Sequence, residues 1–148
     1  MSVDRRAFLR TLPVFAAAPL AASLGACSRE PLTGPGEIHW DRDTCERCSM
    51  VISDRHFAAQ IRDPMKKLHK FDDFGDAVFF LEHQNWAEAS IEFWIADSRD
   101  GRWLDARKVR YVGGKRTPML YGFGAVAEAV EGSVSYEEAK KLILAKGK

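Results

Sequence analysis

Alternating apolar and polar residues predict strands in the middle of the chain, at positions 56–62 and 91–95. Asp63 and Pro64 mark a turn after the first of these runs. Residues 67–71 are expected to return beside that run as the second arm of a hairpin. The central part of the chain is therefore predicted to contain an antiparallel hairpin, followed by a further strand.

Helices are indicated at three places downstream of this hairpin. Asp73 can cap a helix over about 74–83, because the apolar residues that follow it recur on one helical face. The alanine-rich stretch 124–132 is predicted to be a short helix. Ser135 and Glu138 form a capping box that begins a final helix. The residues expected to face inward from this last helix are Ala139, Leu142 and Ile143.

A second hairpin is predicted between two later strands. Asp100 and Gly101 separate 91–95 from 102–106, which is a hairpin signal, and one more strand is expected over 108–112. Strands joined by short hairpins and interleaved with helices indicate the α+β class. The expected fold is a small, mostly antiparallel sheet with packed helices.

The first 26 residues have the pattern of an export signal. Arg5, Arg6 and Arg10 give a positive start, and residues 11–24 are apolar but shorter than the roughly 20 residues that a spanning helix needs. The paired arginines are typical of a twin-arginine signal, which bacteria use as an address read by a receptor. A paired arginine also satisfies the general secretory signal, so the export route stays open.

The sequence LGAC at residues 24–27 resembles a bacterial lipobox, so Cys27 is predicted to carry lipid. Such a chain would be anchored to a membrane in the bacterial periplasm without spanning it. An anchor helix with a chance cysteine is the alternative, but Pro13 and Pro19 interrupt any helix there. The predicted organisation is a signal peptide over 1–26, the lipidated cysteine with a flexible tether over 27–37, and a functional domain over 38–148.

The charge of the mature chain argues against a nucleic-acid partner. Of the 22 basic and 21 acidic residues, three arginines and Asp4 lie in the signal, so the mature formal charge is −1. A nucleic-acid-binding domain would show a clustered basic surface instead. We therefore expect no nucleic acid among the partners.

Candidate chemistry is concentrated in DTCERCSM, residues 43–50. Cys45, Cys48 and Met50 offer two thiols and a thioether within six residues, and such soft donors favour Cu(I). An idle pair of this spacing would tend to oxidise in the periplasm. The residue types therefore suggest that the thiols are used, with a soft metal as one candidate.

Three other interpretations of the pair stay open on residue types alone. Structural zinc needs four protein ligands and does not take a thioether, and His39 and His56 are scattered candidates for the missing positions. A redox pair normally opens a helix, but no helical pattern begins at Cys45. The third is a disulfide between Cys45 and Cys48, with Met50 as ordinary core.

A second methionine lies in TPMLYGFG, residues 117–124. Pro118 and the two glycines mark irregular backbone. Met119 on such a loop is placed more like a ligand than like core filling, although core filling is the commoner role of methionine.

Four segments of the chain together resemble the NosL family, periplasmic lipoproteins that act as copper chaperones for nitrous oxide reductase. The segments are CERCSM at 45–50, FDDFGD at 71–76, the run from IAD to GRWLDA at 95–106, and TPMLYGF at 117–123. The lipidated Cys27 agrees with the family's usual anchoring. The resemblance also implies a fold built as a pair of small ββαβ units.

The same resemblance implies that Cu(I) is held by Cys45, Cys48, Met50 and Met119, without settling which cysteine binds directly. His39, six residues before Cys45, is the candidate for an additional ligand. The implied partner is nitrous oxide reductase or its maturation machinery, as part of denitrification. A copper-binding lipoprotein that serves a different cuproenzyme remains the alternative. Acidic pairs can suggest hydrolysis, but no nucleophile–base set accompanies them here, so no catalytic activity is expected.

The sequence departs from the family pattern at two positions. Family members commonly have glycine just before the motif's methionine, where this chain has Ser49, and after T-P-M, where it has Leu120. Neither change removes a ligand, but both alter backbone freedom close to the metal. Simpler roles are expected for the remaining histidines and for three of the acidic residues. The histidines expected to face solvent are His56, His69 and His83, and the acidic residues expected at caps and turns are Asp72, Asp73 and Asp97.

Overall fold

The strands form two antiparallel sheets in the computed structural model, which describes residues 31–147. A four-stranded sheet has the order β2-β1-β3-β4, and β5 pairs with β6 in a smaller one. The fold class predicted from the sequence is therefore confirmed. The elements in chain order are β1 (Ala59–Arg62), β2 (Leu68–Phe71), α1 (Phe74–Glu82), a 3₁₀ turn (Glu88–Ser90), β3 (Glu92–Ala96), β4 (Trp103–Asp105), β5 (Arg110–Val112), β6 (Gly124–Val126) and α2 (Tyr136–Lys146).

The first half of the fold follows the implied ββαβ order, with β1, β2, α1 and β3 in succession. The second half runs β4, β5, β6 and α2, so its strands all precede its helix within the described residues. No helix of residues 31–147 is both long and apolar enough to cross a membrane. The predicted signal peptide and the predicted lipidation of Cys27 lie outside the described residues.

Strand β1 is covered on both faces, because all four of its residues are buried. Its polar side chains reach the segment before the cysteine motif: the Gln60 amide bonds both the N–H and the carbonyl of Gly36, at 2.9 and 3.0 Å. Arg62 Nε donates to the Gly34 carbonyl at 3.1 Å. Residues 34–36, predicted as part of the tether, are thus held against the sheet, and the folded unit includes them.

Helix α1 begins where the sequence predicts. Asp73 is its N-cap and accepts a hydrogen bond from Gly75 N at 3.0 Å, which satisfies one of the free amides of the first turn. Phe74 carries the helix into the core, where its ring stacks on Tyr111 with centroids 4.3 Å apart. The same ring lies 6.0 Å from Phe93 of β3. The start of α1 is therefore fixed by a cap and by aromatic packing together.

Helix α2 also begins at its predicted cap, since Ser135 Oγ accepts from Glu138 N at 3.3 Å. Ala139 and Ile143 are fully buried, as expected. Leu142 was expected to face inward, which is wrong, because it is 44% exposed on the outer side of the helix.

The helix predicted over 124–132 is absent, and its first residues form β6 instead. Gly124 permits the close approach of this strand to Ser98, since a Cβ at position 124 would lie 2.8 Å from the Ser98 Cβ. Ser98 N donates to the Ala125 carbonyl at 2.8 Å, and Ala125 also pairs with Tyr111 of β5. These tertiary pairings override the helix preference of the alanines.

The buried carboxylate of Asp97 joins β3 to the chain after β6. It accepts hydrogen bonds from Arg99 N at 2.9 Å and from Ala127 N at 3.3 Å. Burial alone would raise its pKa, but these bonds and the Arg99 side chain lower the pKa below the ordinary value. A lowered pKa means that the ionised group stabilises the fold above its unfolded pKa of about 3.9, and that this is lost as pH falls through the folded pKa.

We predict that Asp97→Asn lowers the free energy of unfolding at pH 7 by about 1–3 kcal/mol, because an amide replaces a buried, hydrogen-bonded charge. Urea denaturation at pH 7 and below pH 4 measures the effect, and the difference from wild type should shrink in acid. Asp100→Asn is the control, since Asp100 is exposed in the same hairpin. A deficit that is the same at both pH values would contradict the assignment.

Candidate metal centre

Residues 45–50 form a closed turn, called here the cysteine loop. Cys45 N donates to the Met50 carbonyl at 2.8 Å, and Ser49 N donates to the Cys45 carbonyl at 3.0 Å. A bridge between Thr44 and Val51 joins the two ends of the loop. No helix begins within residues 45–50, so the cysteines do not open a helix of their own as a thioredoxin-type pair does.

Both thiols of this loop meet the start of α1. Cys45 Sγ donates to Asp76 Oδ2 at 3.3 Å, and Cys48 Sγ donates to Asp72 Oδ1 at 3.5 Å. One ligand atom from each of the four residues lies within 4.8 Å of all the others. We call this group the thiol–carboxylate cluster. Within residues 31–147 it is the one group of His, Cys, Asp or Glu side chains placed to hold a metal ion.

Burial sets the protonation of the cluster. It raises the pKa of Cys48 to about 11 and raises the pKa of Cys45 still further, so both groups are thiols at neutral pH without a metal. Burial, with the nearby charge of Asp76, raises the pKa of Asp72 to about 6. The second oxygen of Asp72, Oδ2, is buried and has no hydrogen-bond partner among the described residues. A cation that displaced the thiol protons would satisfy these groups.

Residues 117–121, called here the Met119 loop, are attached to the same end of α1. Thr117 Oγ1 donates to Asp73 Oδ2 at 2.5 Å, and Met119 N donates to the same oxygen at 3.0 Å. Asp73, fully buried, therefore caps α1 and holds the Met119 loop with one carboxylate. Both Met119 and Cys48 are partly buried against the hydrophobic core.

The structure treats the predicted ligands differently. Cys45 and Cys48 are brought together in the cluster, and the Met119 loop is tied to the residue next to Asp72. Met50 belongs to the cysteine loop but is 50% exposed. His39 lies outside the cluster, since its Nδ1 is 3.6 Å from the Asp43 carboxylate. Copper ligation by the four sulfur residues stays a prediction.

The two carboxylates of the cluster were missed from the sequence. Asp72 was assigned a role at a cap or turn, and Asp76 was assigned none. The available signal is their position in FDDFGD, because Asp72 and Asp76 lie on either side of the predicted cap Asp73 and so fall at the same helix start. Both side chains are buried, which is unusual for carboxylates unless they are paired.

His69 was expected to face solvent, which is wrong, because it is 5% exposed. Its Nε2 lies 3.4 Å from Asp63 Oδ2 and its Nδ1 lies 3.2 Å from Glu46 Oε1. The ring packs against Phe80 of α1, with centroids 4.9 Å apart. β2 presents this side chain to α1, which the alternation along a single strand does not reveal.

The thiol–carboxylate cluster supplies four donors of kinds that zinc accepts. Zinc was disfavoured because four protein ligands could not be found, yet two thiols and two carboxylates are four donors of types that zinc accepts. A preference of this site for Cu(I) over zinc would require the thioethers of Met50 and Met119, which are not among the usual ligands of zinc.

Fold and cluster together define a small α+β protein with a candidate metal centre at one helix end. No family model matches the sequence, and a search of curated proteins found no match. Among solved structures, the crystal structure of the copper chaperone NosL from Shewanella denitrificans matches with a TM-score of 0.54 and 17% sequence identity. The match covers 78% of this chain and 88% of that one. The chain therefore shares its fold with this member of the NosL family, and the match supports the resemblance at the level of the fold.

Both departures from the family's glycines fall where glycine is the favoured residue. Ser49 has a φ of 63° and Leu120 has a φ of 60°, in the left-handed region. A residue other than glycine in this region costs about 1–2 kcal/mol of folding free energy. Glycine avoids this cost, but it loses more conformational entropy on folding, which offsets about 0.5–1 kcal/mol of the benefit. One strained residue therefore lies in each of the two loops.

We predict that Leu120→Gly, and likewise Ser49→Gly, raises the free energy of unfolding by up to about 1 kcal/mol in urea denaturation. Leu142→Gly is the matched control, because this exposed leucine lies within α2, where glycine costs about 1 kcal/mol. Equal destabilisation by Leu120→Gly and by the control would show that Leu120 is not strained.

Proposed function

We propose that the protein is a Cu(I) chaperone of the bacterial periplasm, anchored to a membrane by lipid on Cys27. The observation that carries the proposal is the convergence of the cysteine loop and the Met119 loop on the first turn of α1. This convergence brings segments with soft donors to one helix end. The solved structure that shares this fold is named as a copper chaperone, which supports copper as the cargo.

The proposed ligands are the thiolates of Cys45 and Cys48 and the thioethers of Met50 and Met119. Thiolate and thioether together favour Cu(I) over the harder divalent ions. His39 lies outside the thiol–carboxylate cluster, with its Nδ1 beside the carboxylate of Asp43, so we treat it as an additional ligand at most.

Exposure at the edge of the centre suits transfer. Cys48 is partly buried and Met50 is half exposed, whereas Cys45 is fully buried. A receiving protein could replace the outer ligands first and the inner thiolate last, so that copper would never be free in solution. Transfer of this kind requires no catalytic step, and we propose no enzymatic activity.

The proposed recipient is nitrous oxide reductase or its maturation machinery, which would place the protein in denitrification. This assignment, like the lipid anchor, rests on the resemblance of the motifs. A different cuproenzyme is the alternative recipient. The oxidoreductase alternative is weakened by the raised pKa of both thiols, because redox catalysis uses a thiol whose pKa is lowered.

We predict that Cu(I) affinity falls at least tenfold in Met50→Ala and in Met119→Ala, and further in Cys45→Ser and Cys48→Ser, because each change removes a proposed ligand. Competition with a chromophoric Cu(I) chelator under reducing conditions measures the affinity. Met65→Ala is the matched control, because Met65 is 85% exposed in the turn between β1 and β2. A Met119→Ala protein that binds as the control does would refute the ligand set.

A parallel titration with Zn²⁺ separates the two metals. If copper is the cargo, we expect the methionine variants to bind Zn²⁺ as wild type does, because zinc would use the thiols and carboxylates alone.

A thiol–disulfide oxidoreductase would keep its redox activity in both methionine variants, whereas a copper chaperone would show no such activity in any of the proteins. Copper transfer from the loaded protein to metal-free nitrous oxide reductase tests the recipient directly.

We predict that Cu(I) affinity rises with pH between 6 and 8. Binding must release the thiol protons, which are held tightly because burial raises the pKa of Cys48 to about 11 and that of Cys45 further. Each proton released contributes about a tenfold gain in affinity per pH unit. Cys48→Ser should reduce the slope by one proton, and affinity that is independent of pH would rule out thiolate ligation.

A further inference from the structure

Two side chains connect the cysteine loop to the Met119 loop. Arg47 lies between the two cysteines, and its Nη1 donates to Tyr121 Oη at 3.0 Å and to Asp76 Oδ1 at 2.6 Å. Tyr121 Oη donates in turn to Asp76 Oδ1 at 3.4 Å. One hydrogen-bonded triangle therefore joins the cysteine loop, the first turn of α1 and the Met119 loop.

The ring of Tyr121 has a defined seat on α1. It lies so close to Gly75 that a Cβ at this position would overlap the ring. The Phe79 ring, one helical turn further, has its centroid 5.7 Å from that of Tyr121 and packs under the Arg47 guanidinium at 4.7 Å. The glycine of FDDFGD thus makes room for the aromatic side chain that carries the bridging hydroxyl.

These contacts hold the Met119 loop at both ends. Asp73 fixes the amide of Met119 and the hydroxyl of Thr117, while the side chain of Tyr121 fixes the loop two residues after Met119. A ligand that is ordered before the metal arrives loses less conformational entropy on binding. The bridge to Arg47 also ties this order to the loop that carries both thiols.

We propose that Tyr121 and Arg47 are positioning residues, which hold the Met119 loop at a fixed spacing from the cysteine loop so that Met119 is ready to capture Cu(I). The proposal rests on the function proposed above. Neither residue is among the proposed metal ligands. They act on copper binding by setting the spacing between Met119 and the cysteine loop, so their effect on affinity requires Met119 to be present.

Tyr121→Phe is the sharper of the possible variants. It removes the bridging hydroxyl but keeps the ring on Gly75, whereas removal of Arg47 would leave the buried Asp76 carboxylate without its ion pair and could unfold the site. Tyr111→Phe is the matched control. Tyr111 lies in β5 and is equally buried. Its hydroxyl donates to the Ala106 carbonyl at 2.7 Å, and neither residue belongs to the cysteine loop or the Met119 loop.

The test is a double-mutant cycle on Cu(I) affinity. Tyr121→Phe should weaken Cu(I) binding about tenfold in the wild-type background, as loss of an outer-shell contact commonly does. In a Met119→Ala background the same change should alter affinity by less than about twofold, because the ligand that Tyr121 positions is gone. Tyr111→Phe should leave the affinity unchanged in both backgrounds.

Hydrogen exchange of the metal-free protein gives a second readout. Tyr121→Phe should speed exchange in peptides covering residues 45–50 and 117–121 together, since each loop loses its link to the other. Tyr111→Phe should change neither segment. A Tyr121→Phe protein that exchanges as wild type does would overturn the bridge without any reference to copper.

The two proposals fail in different ways. A wild-type protein that binds Cu(I) no better than a simple dithiol would overturn the proposed function. Wild type that binds Cu(I), with Tyr121→Phe equal to it, would overturn the positioning role alone. An equal loss in both backgrounds would also overturn it, because the effect would then not pass through Met119.

Discussion

Burial of three carboxylates at the first turn of α1 is the constraint on which the candidate site depends. A buried carboxylate is costly unless hydrogen bonds or cations compensate it. Asp72 accepts a hydrogen bond from the Cys48 thiol, and Asp73 accepts hydrogen bonds from the hydroxyl and the amide of the Met119 loop. Asp76 accepts hydrogen bonds from the Cys45 thiol and from the guanidinium of Arg47. The hydrogen bonds that compensate the buried carboxylates come from the cysteine loop and the Met119 loop. These bonds therefore hold both loops against the same end of α1.

This arrangement explains why a site built mostly from loops can have a defined geometry. The cysteine loop is closed by its own backbone hydrogen bonds, so it behaves as one unit that α1 can orient. In the Met119 loop, Leu120 is the one residue with a positive φ. Hydrogen bonds from Thr117 and Met119 to Asp73 hold this loop at the start of α1. Rigid elements with supporting contacts fix ligand positions better than loops alone.

Elements with a local signal could be predicted from the sequence, and those set by tertiary contacts could not. The caps at Asp73 and Ser135 are short-range patterns, and both helices begin where these caps predict. β6 was mistaken for a helix because its conformation follows from pairing with β5, which composition does not encode. The inward face assigned to Leu142 failed in the same way, since the packing partner decides which face of a helix is buried.

The site shows the same division. The cysteine pair is visible from its spacing, and Met119 from its loop composition together with the family resemblance. The carboxylates of Asp72 and Asp76 are not, because their burial is a product of the folded chain and polar residues at a helix start usually face water. His69 was misjudged for that reason too, as its burial comes from the helix packed over β2.

The contacts that assemble this centre join residues 24 to 74 positions apart in the chain. Contacts over such separations cost chain entropy that local contacts do not, so they depend on the rest of the fold being in place. An unfolded chain offers a metal little more than a dithiol of short spacing. Since the complete donor set exists only in the native state, cargo that binds it would stabilise that state by mass action. Only a folded chain presents the complete donor set. A metal that needs all of these donors would therefore be bound by folded molecules and not by unfolded ones.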